Sequence, residues 1–220
     1  MANPSGRPRS AASRAALLPL ALVIAAALSS CMELDATLDI RADGAGLLAL
    51  DYVLPDFAEN LDSGGRARRY LPLPAERAGF EALVAGVPGL RLEAWERSAL
   101  ATGPNGVDRF RIAATLSFDS PAALAAFAAE AGGGGIRGGE AAGRGFDLVL
   151  SEGKGSMDGG FLAFLAAAFP EAACSFTVRL PARGASNRGA FDAAGTTLTW
   201  SVSLQEILTA RDTLDWSVRW

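Results

Sequence analysis

From residue 33 to residue 41 the chain reads ELDATLDIR and alternates without a break. Leu34, Ala36, Leu38 and Ile40 fall on one side, and Glu33, Asp35, Thr37 and Asp39 on the other. A period of two predicts a strand with one buried face. Asp43-Gly44 in ADGAG is a hairpin turn signal, and LLALDYVLP returns as a second strand that Pro55 stops. The carboxylates on the first strand suit an edge position, where charge discourages pairing with another chain. A connection rich in Pro and Arg follows over residues 56–73, and then the period changes. In PAERAGFEALVAGV, Phe80, Leu83, Val84 and Val87 recur at helical spacing, with Pro74 opening the run, Glu76 in the first turn and Pro88-Gly89 closing it. LRLEAWERSAL and VDRFRIAATLSF read as two strands joined by the turn cluster ATGPNG, and DSPAALAAFAAEA as a helix with Ser120 as N-cap and Pro121 in the first position.

Residues 132–145, GGGGIRGGEAAGRG, are the most flexible segment by composition. A strand, FDLVLS, follows, then a glycine-rich turn and the apolar run FLAFLAAAFP at 161–170. Ten residues are too few to cross a bilayer, so this run is expected as a helix buried in the core. The last third gives strands at SFTVRLP, TTLTWSVSL and TLDWSVRW, with Ser203 and Glu206 in capping-box register between the last two. Leu198, Trp200 and Val202 share a face, as do Leu214, Trp216, Val218 and Trp220, and the tryptophans are expected in the core. The order β-β-α-β-β-α-β-α-β-β-β has no repeated β-α-β crossover. It predicts a single α+β domain, a mostly antiparallel sheet with helices packed on one face.

The first thirty residues follow a different logic. Arg7, Arg9 and Arg14 precede an apolar stretch over residues 15–28 that is interrupted by Pro19. Fourteen residues make about 21 Å of helix, short of the roughly 30 Å hydrocarbon core, so this is a leader rather than a permanent span. It ends in Leu28-Ser29-Ser30-Cys31, which resembles the lipobox of bacterial lipoproteins. That resemblance implies a thioether-linked diacylglycerol on Cys31, cleavage just before it, and acylation of the new amino terminus. Residues 1–30 are then the signal peptide and 31–220 the mature domain. Two or more acyl chains hold a protein stably on a membrane, at about 0.8 kcal/mol per buried methylene. Met32 in place of Asp permits an outer-membrane destination by the same resemblance. The expected location is the cell membrane or outer membrane, facing the periplasm or the cell exterior.

Composition narrows what the mature part can do. The chain carries 20 basic and 24 acidic residues; without the three leader arginines, 17 face 24, a net charge of −7. Such an acidic domain is not expected to bind nucleic acid. If Cys31 is lipidated, Cys174 is the remaining cysteine and no internal disulfide can form; its setting in CSFTVRL reads as a buried strand position. The chain has no histidine, which removes Ser-His-Asp and Cys-His catalysis and imidazole-dependent zinc sites.

The tail carries a second resemblance. A strand ending RLP, a loop containing NRGAFD and the strand TTLTWSV are similar to the pattern that closes the LppM-like lipoprotein domain, on Leu180, Pro181, Asn187, Gly189 and Trp200. The sequence up to Trp220 contains no C-terminal membrane segment such as the mycobacterial member carries. The resemblance implies a membrane-tethered α+β domain that contacts lipids or glycolipids and has no established enzyme activity.

Other chemical motifs read as ordinary structure. Ser151-Glu152-Gly153-Lys154 fits S-x-x-K, but glycine interrupts the helix that motif needs, and Lys154 is the chain's one lysine, so no K-T-G partner exists. GKGS lacks the upstream glycine of a P-loop, since position 148 is Leu148. Glu33, Asp35, Asp39 and Asp51 are spaced along strands rather than wrapped around an ion, so a solvated face is expected and no metal. Arg66, Arg68 and Arg69 form a basic cluster that could meet lipid phosphates, each worth about 1 kcal/mol on an anionic surface. No cofactor and no enzyme activity are expected. The reading is a membrane-anchored envelope lipoprotein that binds a lipid or glycolipid ligand or an envelope protein partner; the alternative is an assembly scaffold without a ligand pocket.

Overall fold

A computed structural model describes residues 33–56, 73–102, 108–131, 137–139, 145–151 and 173–220. Strands dominate them and helices are few. β1 (Leu34–Ile40) and β2 (Gly46–Pro55) form the first hairpin. In its turn Gly44 takes φ +85°, open to glycine at little cost, and Asp43 Oδ1 accepts the Ala45 N–H at 3.1 Å. α1 (Arg77–Ala85) leads into β3 (Leu90–Leu100) and β4 (Arg109–Phe118). α2 (Pro121–Ala131) precedes β5 (Arg137–Gly139) and β6 (Gly145–Ser151). The C-terminal part holds β7 (Ala173–Arg179), the short β8 (Ala185–Ser186) and β9 (Ala190–Phe191), β10 (Thr197–Ser203), α3 (Leu204–Thr209) and β11 (Leu214–Arg219).

These strands make two sheets. The larger runs β3-β4-β2-β1-β7-β10-β9 and the smaller β5-β6-β11-β8. The larger sheet is mixed: β1 pairs with β2 antiparallel and with β7 parallel, Leu34 opposite both Tyr52 and Cys174. The edge position expected for β1 is therefore corrected. Its carboxylates do not blunt an edge; they project from the middle of the sheet's open face, where Arg179 on β7 meets Asp39. A second departure is that β11 leaves the first sheet to pair with β6 and β8.

The inward alternation of β1, β2 and β4 fills the core with Leu38, Leu50, Tyr52, Ile112, Leu116 and Phe118. Phe80 and Leu83 from α1, Ala123 and Phe127 from α2, and Phe146, Trp216 and Val218 from the smaller sheet belong to the same buried cluster. α1 starts later than its sequence suggests, at Arg77 with Glu76 as N-cap, and the Tyr52 hydroxyl donates to the Pro74 carbonyl in the segment before it. α2 and α3 begin as read: Ser120 Oγ accepts the Ala123 N–H at 3.3 Å and Ser203 Oγ the Glu206 N–H at 3.0 Å. The apolar run 161–170 lies outside the described residues.

Candidate functional site

The predicted lipidation site, Cys31, and the predicted headgroup cluster, Arg66, Arg68 and Arg69, lie outside the described residues. What the structure does place is the part of the fold that Cys31 adjoins. Leu34 starts β1 at one end of the central strand, and the chain is tied down even before it, since the Glu33 carbonyl accepts the Val53 N–H at 3.4 Å. At this end β2 finishes with Pro55, β3 with Leu100 and β10 with Ser203, while β4 starts at Arg109 and β7 at Ala173. Beneath it Cys174, Val202 and Leu214 form a small apolar cluster with Leu34, Ile207 and Ala210 packed on it. Charges of both signs ring the rim. The Thr102 hydroxyl donates to Asp108 at 2.8 Å, and Arg97 reaches Glu76 at 3.2 Å with its guanidinium 3.9 Å over the Phe110 ring.

The acidic stripe on β1 and β2 is answered by arginines from neighbouring strands. Arg179 Nη1 donates to both Asp39 oxygens, at 3.0 and 3.1 Å, and Arg111 grips Asp51 with two nitrogens, Nε at 2.6 Å. The hydrogen bond and charge of Asp51 raise the Arg111 pKa further. Both pairs are open to water, so each contributes little to stability and weakens with salt. Between them runs a cross-strand row of small side chains, Thr199, Thr177, Thr37, Ala49 and Thr115. The open face is thus lined mainly by small and polar side chains. Among the described residues Leu47 is the large apolar side chain left exposed, at 42%. No described group of three or more Asp, Glu, Cys or His side chains gathers in metal-binding geometry.

Behind that face, Phe176, Trp200, Trp216 and Phe146 form an aromatic bridge between the two sheets. Ring centroids lie 5.6 Å apart for Phe176–Trp200, 5.0 Å for Trp200–Trp216 and 5.6 Å for Phe146–Trp216. The Trp216 indole N–H donates to Ser186 Oγ at 3.1 Å. Asn187 clasps β11 beside it, accepting the Ser217 N–H at 2.8 Å and donating to Asp215 at 3.0 Å. Gly189 takes φ +84° where a Cβ would stand 2.6 Å from the Thr199 carbonyl oxygen. The tail residues Asn187, Gly189 and Trp200 thus work as a lock between the sheets. Arg219 fastens the other side, bonding Asp147 at 2.7 and 2.9 Å and the Phe146 carbonyl at 2.9 Å.

Cys174 is buried on β7, and desolvation pushes its thiol up to about 11, which favours the inert protonated form. Ser151 is the last residue of strand β6, opposite Leu214, and Glu152, Gly153 and Lys154 of the S-x-x-K match lie outside the described residues. No described helix is long and apolar enough to cross a membrane. No known protein family matches the chain, and a comparison with curated proteins finds no match.

Proposed function

We propose that this chain is a bacterial lipoprotein, carried by Cys31 on the cell membrane or outer membrane, whose domain acts by binding rather than by catalysis. The observation that carries this reading is the tetrapeptide Leu28-Ser29-Ser30-Cys31 at the end of a basic and then apolar leader too short to span. The described fold fits such a tether, because its first strand starts at Leu34, three residues past the proposed leader. The mature part is one α+β domain, with a mostly antiparallel sheet and its helices packed on one face. The shared burial of Phe80, Leu83, Ala123 and Phe127 with the inward residues of the sheet supports that arrangement. The non-enzymatic role is supported by the state of the carboxylates: Asp39, Asp51 and Asp147 are each engaged by an arginine. The occupant of the domain is a lipid or glycolipid, as the resemblance to the LppM-like domain suggests, or an envelope protein. Growth with labelled palmitate tests the anchor: label enters the wild-type chain and does not enter Cys31→Ser. Native mass spectrometry of the protein then separates the two occupants, since retained lipid marks a carrier and its absence a scaffold.

A further inference from the structure

The strand nearest Cys31 is held from both sides. β1 pairs with β2 from Leu34 opposite Tyr52 to Ile40 opposite Gly46, and with β7 from Leu34 opposite Cys174 to Asp39 opposite Arg179. On the other side of β7 lies β10, running the opposite way: it starts at Thr197 beside Arg179, where β1 finishes, and ends at Ser203 beside Ala173. A pull on the chain before Leu34 and an opposing pull on the turn before Thr197 therefore act along the strands, from opposite ends of the sheet. We propose that β1, β7 and β10 form a mechanical clamp, which resists a lengthwise pull on β1 far better than a pull across the strands. The load it would meet, between a lipid on Cys31 and whatever the domain holds at the other end, rests on the lipoprotein reading. The clamp itself belongs to the fold.

Direction decides how a ladder shares a load. Its hydrogen bonds run across the strands, perpendicular between β1 and β2 and slanted between β1 and β7, so a lengthwise pull strains every pair together. A crosswise pull opens the pairs one after another from the end. Sliding offers β1 no easier route. Ala36, Leu38 and Ile40 are buried, while Asp35, Thr37 and Asp39 stand on the open face. A slip of one residue turns both carboxylates into the core. A slip of two residues toward the start of β1 restores the faces but drives Leu38 into the space of Ala36, which a close-packed core resists. The turn behind the strand is tight, with the Arg41 N–H donating to the Ala45 carbonyl at 2.8 Å and the Gly44 N–H to the Arg41 carbonyl at 2.9 Å, so it has no slack to feed a slip. The Asp39–Arg179 pair closes the β1–β7 ladder at the end from which a crosswise pull opens it, but it is exposed to water and adds little there.

Single-molecule pulling on the full chain, made without lipid, tests the clamp. In the lengthwise geometry one handle is fixed to Cys31 and the other to Ala193→Cys, in the turn between β9 and β10. In the crosswise geometry the handles sit on Ala42→Cys and Ala193→Cys in a Cys31→Ser chain, both in turns at the end where β1 finishes. Both alanines are exposed, and Cys174 is buried away from reagent. The β1–β7 ladder lies between the handles in either geometry, so the two differ in the direction of load on the same pairs. Rupture force at a matched pulling rate reports the unfolding rate under load. The expected result is a main rupture force several-fold higher lengthwise than crosswise. Equal forces, or a lower lengthwise force, overturn the clamp and leave the anchor untouched, since neither geometry uses lipid. Failure of labelled palmitate to enter the chain overturns the anchor and leaves the clamp standing.

Discussion

Trp216 is 1% exposed, and its indole N–H has one acceptor among the described residues, Ser186 Oγ at 3.1 Å. Ser186→Ala removes that acceptor and leaves a buried donor without a partner. Orphaning a buried polar group costs about 1–3 kcal/mol. The same oxygen accepts the Arg188 N–H at 3.2 Å and donates to the Ser217 carbonyl at 2.8 Å, so the loss falls in the upper part of that range, about 2 kcal/mol. For a chain of 220 residues this lowers Tm by about 4–8 °C. Trp216→Phe deletes the donor and some ring packing against Phe146, Phe176 and Trp200, at its own separate cost. If the hydrogen bond matters as argued, Ser186→Ala costs less in the Trp216→Phe background, with a coupling of about 1 kcal/mol. Urea denaturation followed by far-ultraviolet circular dichroism measures all four corners of this cycle without relying on the altered tryptophan. A Ser186→Ala variant within about 0.5 kcal/mol of wild type, or strictly additive effects, would refute the reasoning.

Three further outcomes follow from the same geometry. Gly189→Ala should cost at least about 1–2 kcal/mol, because φ is +84° and the new Cβ would meet the Thr199 carbonyl at 2.6 Å, whereas Gly86→Ala, at φ −79° with its nearest neighbour 3.5 Å away, should be neutral or stabilising by about 0.4–1 kcal/mol; thermal denaturation of both separates conformational strain from general sensitivity. Burial raises the Cys174 pKa from 9.0 to about 11, so the folded state favours the protonated thiol; that contribution is complete below pH 9, fades as pH rises to about 11 and is of order 2 kcal/mol, and stability curves at pH 8.5 and 10.5 should show a steeper alkaline loss for wild type than for Cys174→Ala. Asp51→Asn should lower stability only slightly at low salt and less still at high salt, since its pairing with Arg111 is open to solvent, as denaturation at two ionic strengths would report.

Local signals made most of the elements legible. Alternation marks β1, the turn signals at Asp43-Gly44 and ATGPNG and the stop at Pro55 bound β2, β3 and β4, and the serine caps at Ser120 and Ser203 place the starts of α2 and α3. The parallel neighbour of β1 was not legible, because Thr37 meets Thr177 across most of the chain and neither segment's pattern names its partner. A strand with one polar face reads the same at an edge as in the middle of a sheet whose outer face is wet. The short strands β5, β8 and β9 escaped because two or three residues such as Ala185-Ser186 carry no periodicity, and with them escaped the second sheet. Of the candidate site, Cys31 is legible as a motif because the proposed processing would read linear sequence, whereas the sheet end that β1 starts from is built from Leu34, Leu100, Arg109, Ala173 and Ser203, residues that only folding brings together.

The lipid proposed on Cys31 can be weighed directly. Trypsin cuts after Arg41 and at no site between residues 31 and 41, so the membrane-extracted protein should yield the peptide CMELDATLDIR bearing a diacylglyceryl thioether and an acylated amino group, with nothing from residues 1–30 attached. A mature chain whose first residue is not Cys31, or a Cys31 of unmodified mass in protein taken from the membrane, would contradict the account.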